Sequence, residues 1–126
     1  MTIEHWKEAP DEHDYPAARA YLGLLVLPKT AKTIAKALQQ APLMRAKAKD
    51  LLRASGLPLL SEDDPEVRAA LTKVRAGVKL SPVLLVRGRL GGWPLIVADG
   101  YHRICASYHL DDDAEIPYRI ADLPTD

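Results

Sequence analysis

Val97-Ala-Asp-Gly-Tyr-His-Arg103 is the stretch on which the reading of this chain turns. Residues 94–98 form an apolar run of strand character, and Asp99-Gly100 ends it. Residues 101–110 follow as a helix, which sets His102 and Arg103 in its first turn. A helix N-terminus carries about half a positive charge from its aligned peptide dipoles, so acidic side chains are favoured there. Two cationic-capable groups at that end cost stability unless an anion offsets them. Free backbone N–H groups, the dipole, His102 and Arg103 together make a phosphate site. Gly100 lets the backbone approach such an anion with no side chain in between. A purely structural reading stands beside this one. In it Asp99 caps the helix and Arg103 pairs with a nearby carboxylate.

Immediately upstream, residues 82–87 are β-rich and residues 88–92 contain Gly91-Gly92, so 82–98 reads as a hairpin. Downstream, the acidic loop 111–115 leads to a last strand at 116–120. The N-terminal half reads as helical. Asp14 is a candidate cap for a helix at 16–25, with Tyr21, Leu24 and Leu25 on its apolar side and Pro28 ending it. Residues 29–41 form a second helix, capped by Thr30, with Ile34, Ala37 and Leu38 as its apolar side. Residues 44–55 form a third. Gly56 then supplies a left-handed terminal residue and Pro58 prevents continuation. Residues 57–60 are extended. Asp64 caps a helix that begins at Pro65, buries Val67, Leu71 and Val74, and closes at Gly77. The expected architecture is α+β: helices over 1–56 packed on the core, then a small β-β-α-β sheet domain over 57–126.

The segments 80–86, 94–110 and 115–119 resemble the ParB/sulfiredoxin-like domain. That family shows a Pro-containing strand, a strand ending in Asp-Gly, x-His-Arg opening a helix, and a later strand with a central Pro. The resemblance covers about residues 57–121 and is strongest at 94–106; the first three helices have no counterpart in it. It implies a nucleotide- or phosphate-binding module in which Gly100, Tyr101, His102 and Arg103 hold the anion. The implied ligands are ATP, ADP or CTP with Mg²⁺, and Asp99 is a candidate ligand for that ion. Members include sulfiredoxins, chromosome-partition CTPases, free-serine kinases and proteins described as nucleases. Sulfiredoxins place their cysteine immediately before His-Arg. Tyr101 holds that position here, and the single cysteine is Cys105, which argues against sulfiredoxin chemistry. The serine kinases use a Glu near the start of the domain as base. Glu62 and Glu66 are the candidates, and Glu62 and Asp99 are taken as the catalytic pair of a phosphotransferase or nucleotide hydrolase. The bland reading of Glu62, Asp63, Asp64 and Glu66 is that of first-turn acids suited to a helix dipole.

Composition bounds these readings. The 126 residues suit one domain, leaving no space for the helix-turn-helix domain of partition proteins. Seventeen basic and 17 acidic residues cancel, unlike a general nucleic-acid coat protein. One cysteine excludes a disulfide framework and fits a reducing compartment. The longest apolar run, at 21–28, is too short to span a membrane, and the acidic start is unlike a signal peptide. A cytoplasmic location with no membrane partner is therefore expected.

The charges are segregated along the chain. Residues 29–53 carry Lys29, Lys32, Lys36, Arg45, Lys47, Lys49 and Arg53 against Asp50 alone, a surplus of six. Lys29, Lys32 and Lys36 share one helix face, and Arg45, Lys49 and Arg53 repeat the spacing. This stretch defines the alternative function, a non-catalytic module that binds protein or nucleic acid through helices 29–53. It also suits pairing with the acidic N-terminus or the 111–115 loop, within the chain or across a homodimer. A nuclease is less well supported, because excess positive charge and a multi-carboxylate metal cluster are missing. His102 and His109 lie seven apart, wider than the usual zinc-pair spacing. Trp93 at the hairpin suits either a core edge or a ligand base.

Overall fold

The computed structural model describes residues 5–124; Glu4 of the acidic start lies outside them. The helices are α1 (Asp14–Leu22), α2 (Pro28–Gln40), α3 (Ala48–Ser55), α4 (Pro65–Arg75) and α5 (Tyr101–Leu110). The strands are β1 (Met44–Lys47), β2 (Val83–Val86), β3 (Ile96–Asp99) and β4 (Glu115–Ala121), in sheet order β1-β4-β2-β3. The expected hairpin is present as the antiparallel pair β2/β3. The expected β-β-α-β run is completed when β4 returns beside β2 in parallel.

The sheet is covered on both faces. Val83 and Leu85 point into a core with Leu51, Val67, Leu71, Ile104 and Ile116, beneath α3, α4 and α5. Leu84 and Val86 point the other way, toward Ala18, Leu22, Ile34 and Leu38 of α1 and α2. This explains why β2 is a continuous apolar run without alternation: both of its faces are buried.

Three expectations are corrected. Residues 44–47 do not continue a third helix. They form β1, paired antiparallel to β4 from Met44↔Tyr118 to Lys47↔Glu115, and the helix starts only at Ala48. Ala, Lys and Met favour helix, but the open edge of β4 supplies backbone partners that override so weak a preference. Segment 1–56 thus lends the sheet a strand as well as helices. Second, α1 stops at Leu22 and buries Ala18 and Leu22, whereas Tyr21, Leu24 and Leu25 are exposed. Third, Pro28 does not end the first element. It occupies the opening turn of α2, where its missing N–H is harmless, and Thr30 does not cap. On α2 it is Ala31 and Ala35, not Ala37, that join Ile34 and Leu38 in the core.

Other sequence signals are realised. Asp64 caps α4 by accepting from the N–H groups of Glu66 and Val67, both at 3.1 Å. Gly56 ends α3 at φ 68°. The basic stretch divides in two. Lys49 and Lys47 reach Asp113 of the acidic loop at 2.6 and 3.9 Å, and Arg53 reaches Asp50 at 3.3 Å. The α2 lysines form no ion pair among the described residues.

Candidate functional site

The β3–α5 turn is built around Gly100. The ladder skips Ala98, since Leu84 pairs with Asp99 and Leu85 with Val97. Such a bulge re-aims the residues beside it. The Asp99 carboxylate then reaches Arg103 Nη2 at 2.9 Å. Gly100 adopts φ 111°, and a Cβ there would lie 2.4 Å from Val83 Cγ1 and 3.0 Å from Arg103 Nη2. The turn therefore needs glycine both for its backbone angle and for the closeness of β2. No side chain caps α5 and its first turn holds no acid of its own.

Arg103 is drawn into a polar cluster assembled from three parts of the chain. Its Nη2 donates to Asp99 Oδ2 and, at 3.4 Å, to the Pro82 carbonyl, and lies 3.9 Å from Asp14 Oδ2. Asp14 is buried and accepts from Ser81 Oγ at 2.7 Å and from the Asp11 N–H at 3.2 Å. Two carboxylates thus converge on one guanidinium, while its Nε is buried without a partner. Burial pushes the Asp99 carboxyl above its ordinary range, with Asp14 adding to the rise and Arg103 working against it.

His102 turns from Arg103 toward α4, its Nδ1 lying 2.8 Å from Glu66 Oε2 and its Nε2 3.9 Å from Asp64 Oδ2. Tyr101 donates its hydroxyl to the Pro58 carbonyl. Gly100, Tyr101, His102, Arg103 and Asp99 are therefore contiguous around one turn. Glu62 is not brought there. It lies 4.0 Å from His109, two helical turns along α5, and His109 Nε2 is 2.7 Å from the Leu60 carbonyl. Glu66, the other acid weighed, is the one beside His102.

Asp99, Gly100 and His102 separate two cavities. One, of about 300 Å³, has Glu66, Lys73 and Arg103 among its walls together with Ala69, Ala70 and Leu80. The other, of about 310 Å³, is walled by Ala17, Tyr21, Leu57, Val97 and Tyr101. The sequence reading missed Asp14, Ser81 and Lys73. Asp14 read as a helix cap, and no local pattern links it to Ser81, 67 residues away.

Cys105 is fully buried in the core, and burial raises its thiol above the ordinary range. We expect the native protein to resist a disulfide reagent such as Ellman's, and one thiol to react after denaturation. Rapid labelling of the folded chain would contradict this burial. Trp93 lies outside the turn. Its indole donates to the Arg87 carbonyl at 3.3 Å, and the Arg89 guanidinium stands 5.9 Å from its ring centre. No helix of the described residues is long and apolar enough to cross a membrane. No protein-family model, curated protein or solved structure gives a significant match to the chain.

Proposed function

We propose that the chain binds a phosphate-bearing small molecule, a nucleotide by preference, at the Gly100–Arg103 turn. The observation that carries this reading is the uncapped α5 N-terminus behind a glycine that tolerates no side chain, with Arg103 Nε buried and unpartnered beside it. Packing against β2 accounts for the glycine by itself, whereas the uncapped helix end and the unpartnered Nε have no structural use in the turn. Asp99 as a cap would satisfy the first N–H groups, yet its carboxylate is given to Arg103 instead. The resemblance to the ParB/sulfiredoxin-like family points to the same residues.

The two cavities favour a nucleotide over a bare phosphate. A polar recess with Lys73, His102 and Arg103 suits the phosphates, and the recess lined by Tyr21, Leu57 and Tyr101 suits an apolar, flat body. Asp14 and Asp99 would repel a bare dianion. They suit a nucleotide that carries Mg²⁺, for which Asp99 is the nearest carboxylate to the turn. If phosphoryl transfer occurs, Asp99 is the candidate base, since its raised affinity for a proton suits accepting one. Glu62, beside His109, is poorly placed for that role.

Thermal unfolding with ATP, ADP, CTP or pyrophosphate, each with Mg²⁺, tests this reading. A ligand at about 100 times its Kd adds roughly 2.7 kcal/mol, a rise on the order of 10 °C for a domain of this size. Lys73→Ala is expected to reduce the rise and leave the unliganded midpoint near its starting value, since Lys73 is exposed on α4. Absence of a rise with every one of these ligands would sink the proposal.

A further inference from the structure

On the opposite side of α1 from the Gly100 turn, α1 and α2 border an open, shallow cleft of about 600 Å³. Its apolar lining is Pro16, Ala20, Gly23, Leu24, Pro28 and Ala35, most of it exposed. Its polar lining holds the neutral Tyr15 and Gln39 and three cations. Arg19 projects from α1, and Lys32 and Lys36, one turn apart, project from α2. No Asp or Glu lines it. None of the three cations forms an ion pair among the described residues, unlike Lys47, Lys49 and Arg53 of the same basic stretch.

This arrangement costs energy as it stands. Three like charges facing one cleft repel one another, and no internal carboxylate relieves them. Next to the cleft, the α1–α2 connection exposes apolar surface, with Leu24 at 83% and Leu27 at 75%. A volume of about 600 Å³ falls within the range of small-molecule sites, roughly 300–1,000 Å³. Charge and apolarity meet in one concave place, so the fitting ligand has both: an apolar body and an anionic group.

We infer that the α1–α2 cleft is a binding site for a small amphiphilic organic anion, seated with its apolar body on Ala20, Gly23, Leu24 and Ala35 and its anionic group between Arg19, Lys32 and Lys36. The site is separate from the Gly100 turn: the two linings share no residue. Its test is accordingly independent of nucleotide binding.

The probe is 8-anilinonaphthalene-1-sulfonate, an aromatic body with one fixed negative charge. Fluorescence titration of the wild-type chain is expected to show saturable binding of one dye per chain, weakened by added salt. The double substitution Lys32→Glu/Lys36→Glu is expected to weaken it at least tenfold. Lys29→Glu changes the neighbouring charge on the same helix face but outside the cleft lining, and is expected to weaken binding clearly less than the double substitution does. Thermal melts of each variant check that the fold is kept, as expected for exposed helix positions. Unchanged affinity in the double variant, equal loss with Lys29→Glu, or only unsaturable binding to the wild type would each overturn the inference. Should the double variant unfold, Arg19→Gln supplies the same test from the other wall.

Discussion

Gly100→Ala is expected to destabilise the protein by about 2–5 kcal/mol, seen as a lower urea midpoint at unchanged m-value. Two physical terms combine. An L-residue at φ 111° is strained, on the order of 1–3 kcal/mol. The new methyl would also stand 2.4 Å from Val83 Cγ1 and 2.9 Å from Val83 Cβ. Val83 is fully buried in the strand that carries both cores, so it cannot step aside freely. Overpacking of this kind costs about 1–3 kcal/mol. Gly77→Ala separates the terms: Gly77 also has positive φ, at 79°, but a Cβ there meets nothing within 4 Å. It is expected to cost about 1 kcal/mol. A second comparison is Val83→Ala/Gly100→Ala, which removes the closest methyl. Its loss is expected to fall short of the sum of the single losses by about 1 kcal/mol, because the two sites are in contact. Equal effects at Gly77 and Gly100, together with strict additivity at 83 and 100, would show that closeness to β2 plays no part.

The same turn shows what the sequence could and could not disclose. Local signals worked wherever one residue satisfies a local backbone need: Asp64 capping α4, Gly56 ending α3, Gly100 preceding α5. Apolar runs located β2 and β3 because burial and backbone geometry ask for the same residues there. Local signals are silent where tertiary contact decides. Met44–Lys47 contains no strand pattern and becomes β1 only because β4 offers an edge. Tyr21, Leu24 and Leu25 have helical spacing but α1 has already ended at Leu22, so the spacing is accidental. In the site, the linear motif shows five adjacent residues but not their environment. Asp14 reaches Arg103, and Ser81 reaches Asp14, through chain folding alone, and the electrostatics change with them: a guanidinium that reads as free for an anion is already shared between carboxylates. The neutral net charge misled in the opposite direction. It conceals Lys47 and Lys49 paired with Asp113, and an α1–α2 cleft that has no acid in its lining.

Arg103→Ala is expected to destabilise the unliganded protein by about 2–3 kcal/mol near pH 7, and by much less near pH 4. Removing one partner of a mostly buried pair leaves the other charge uncompensated, which costs more than the pair itself contributes. Here two carboxylates are left, Asp99 and the more deeply buried Asp14. The pH dependence follows from Asp99. Burial already raises its folded-state pKa, and Arg103 is the main influence that lowers it. Loss of Arg103 raises it further. A carboxyl with a raised folded-state pKa holds its proton more tightly in the native state than in the unfolded one. Stability therefore falls as pH rises from the ordinary Asp range, about 4, through the raised value, and recovers as pH is lowered again. The wild type shares this trend weakly, with Asp14 and His13 as the other charged groups acting on Asp99. Asp99→Asn removes the titrating group, so Arg103→Ala/Asp99→Asn is expected to be more stable at pH 7 than Arg103→Ala alone, by about 1 kcal/mol. Its remaining deficit should vary less with pH. Urea unfolding of the four proteins across pH 4 to 7 measures both quantities. A pH-independent loss in Arg103→Ala, with no recovery in the double variant, would mean that Arg103 stabilises the turn by packing its side chain rather than by compensating the carboxylates.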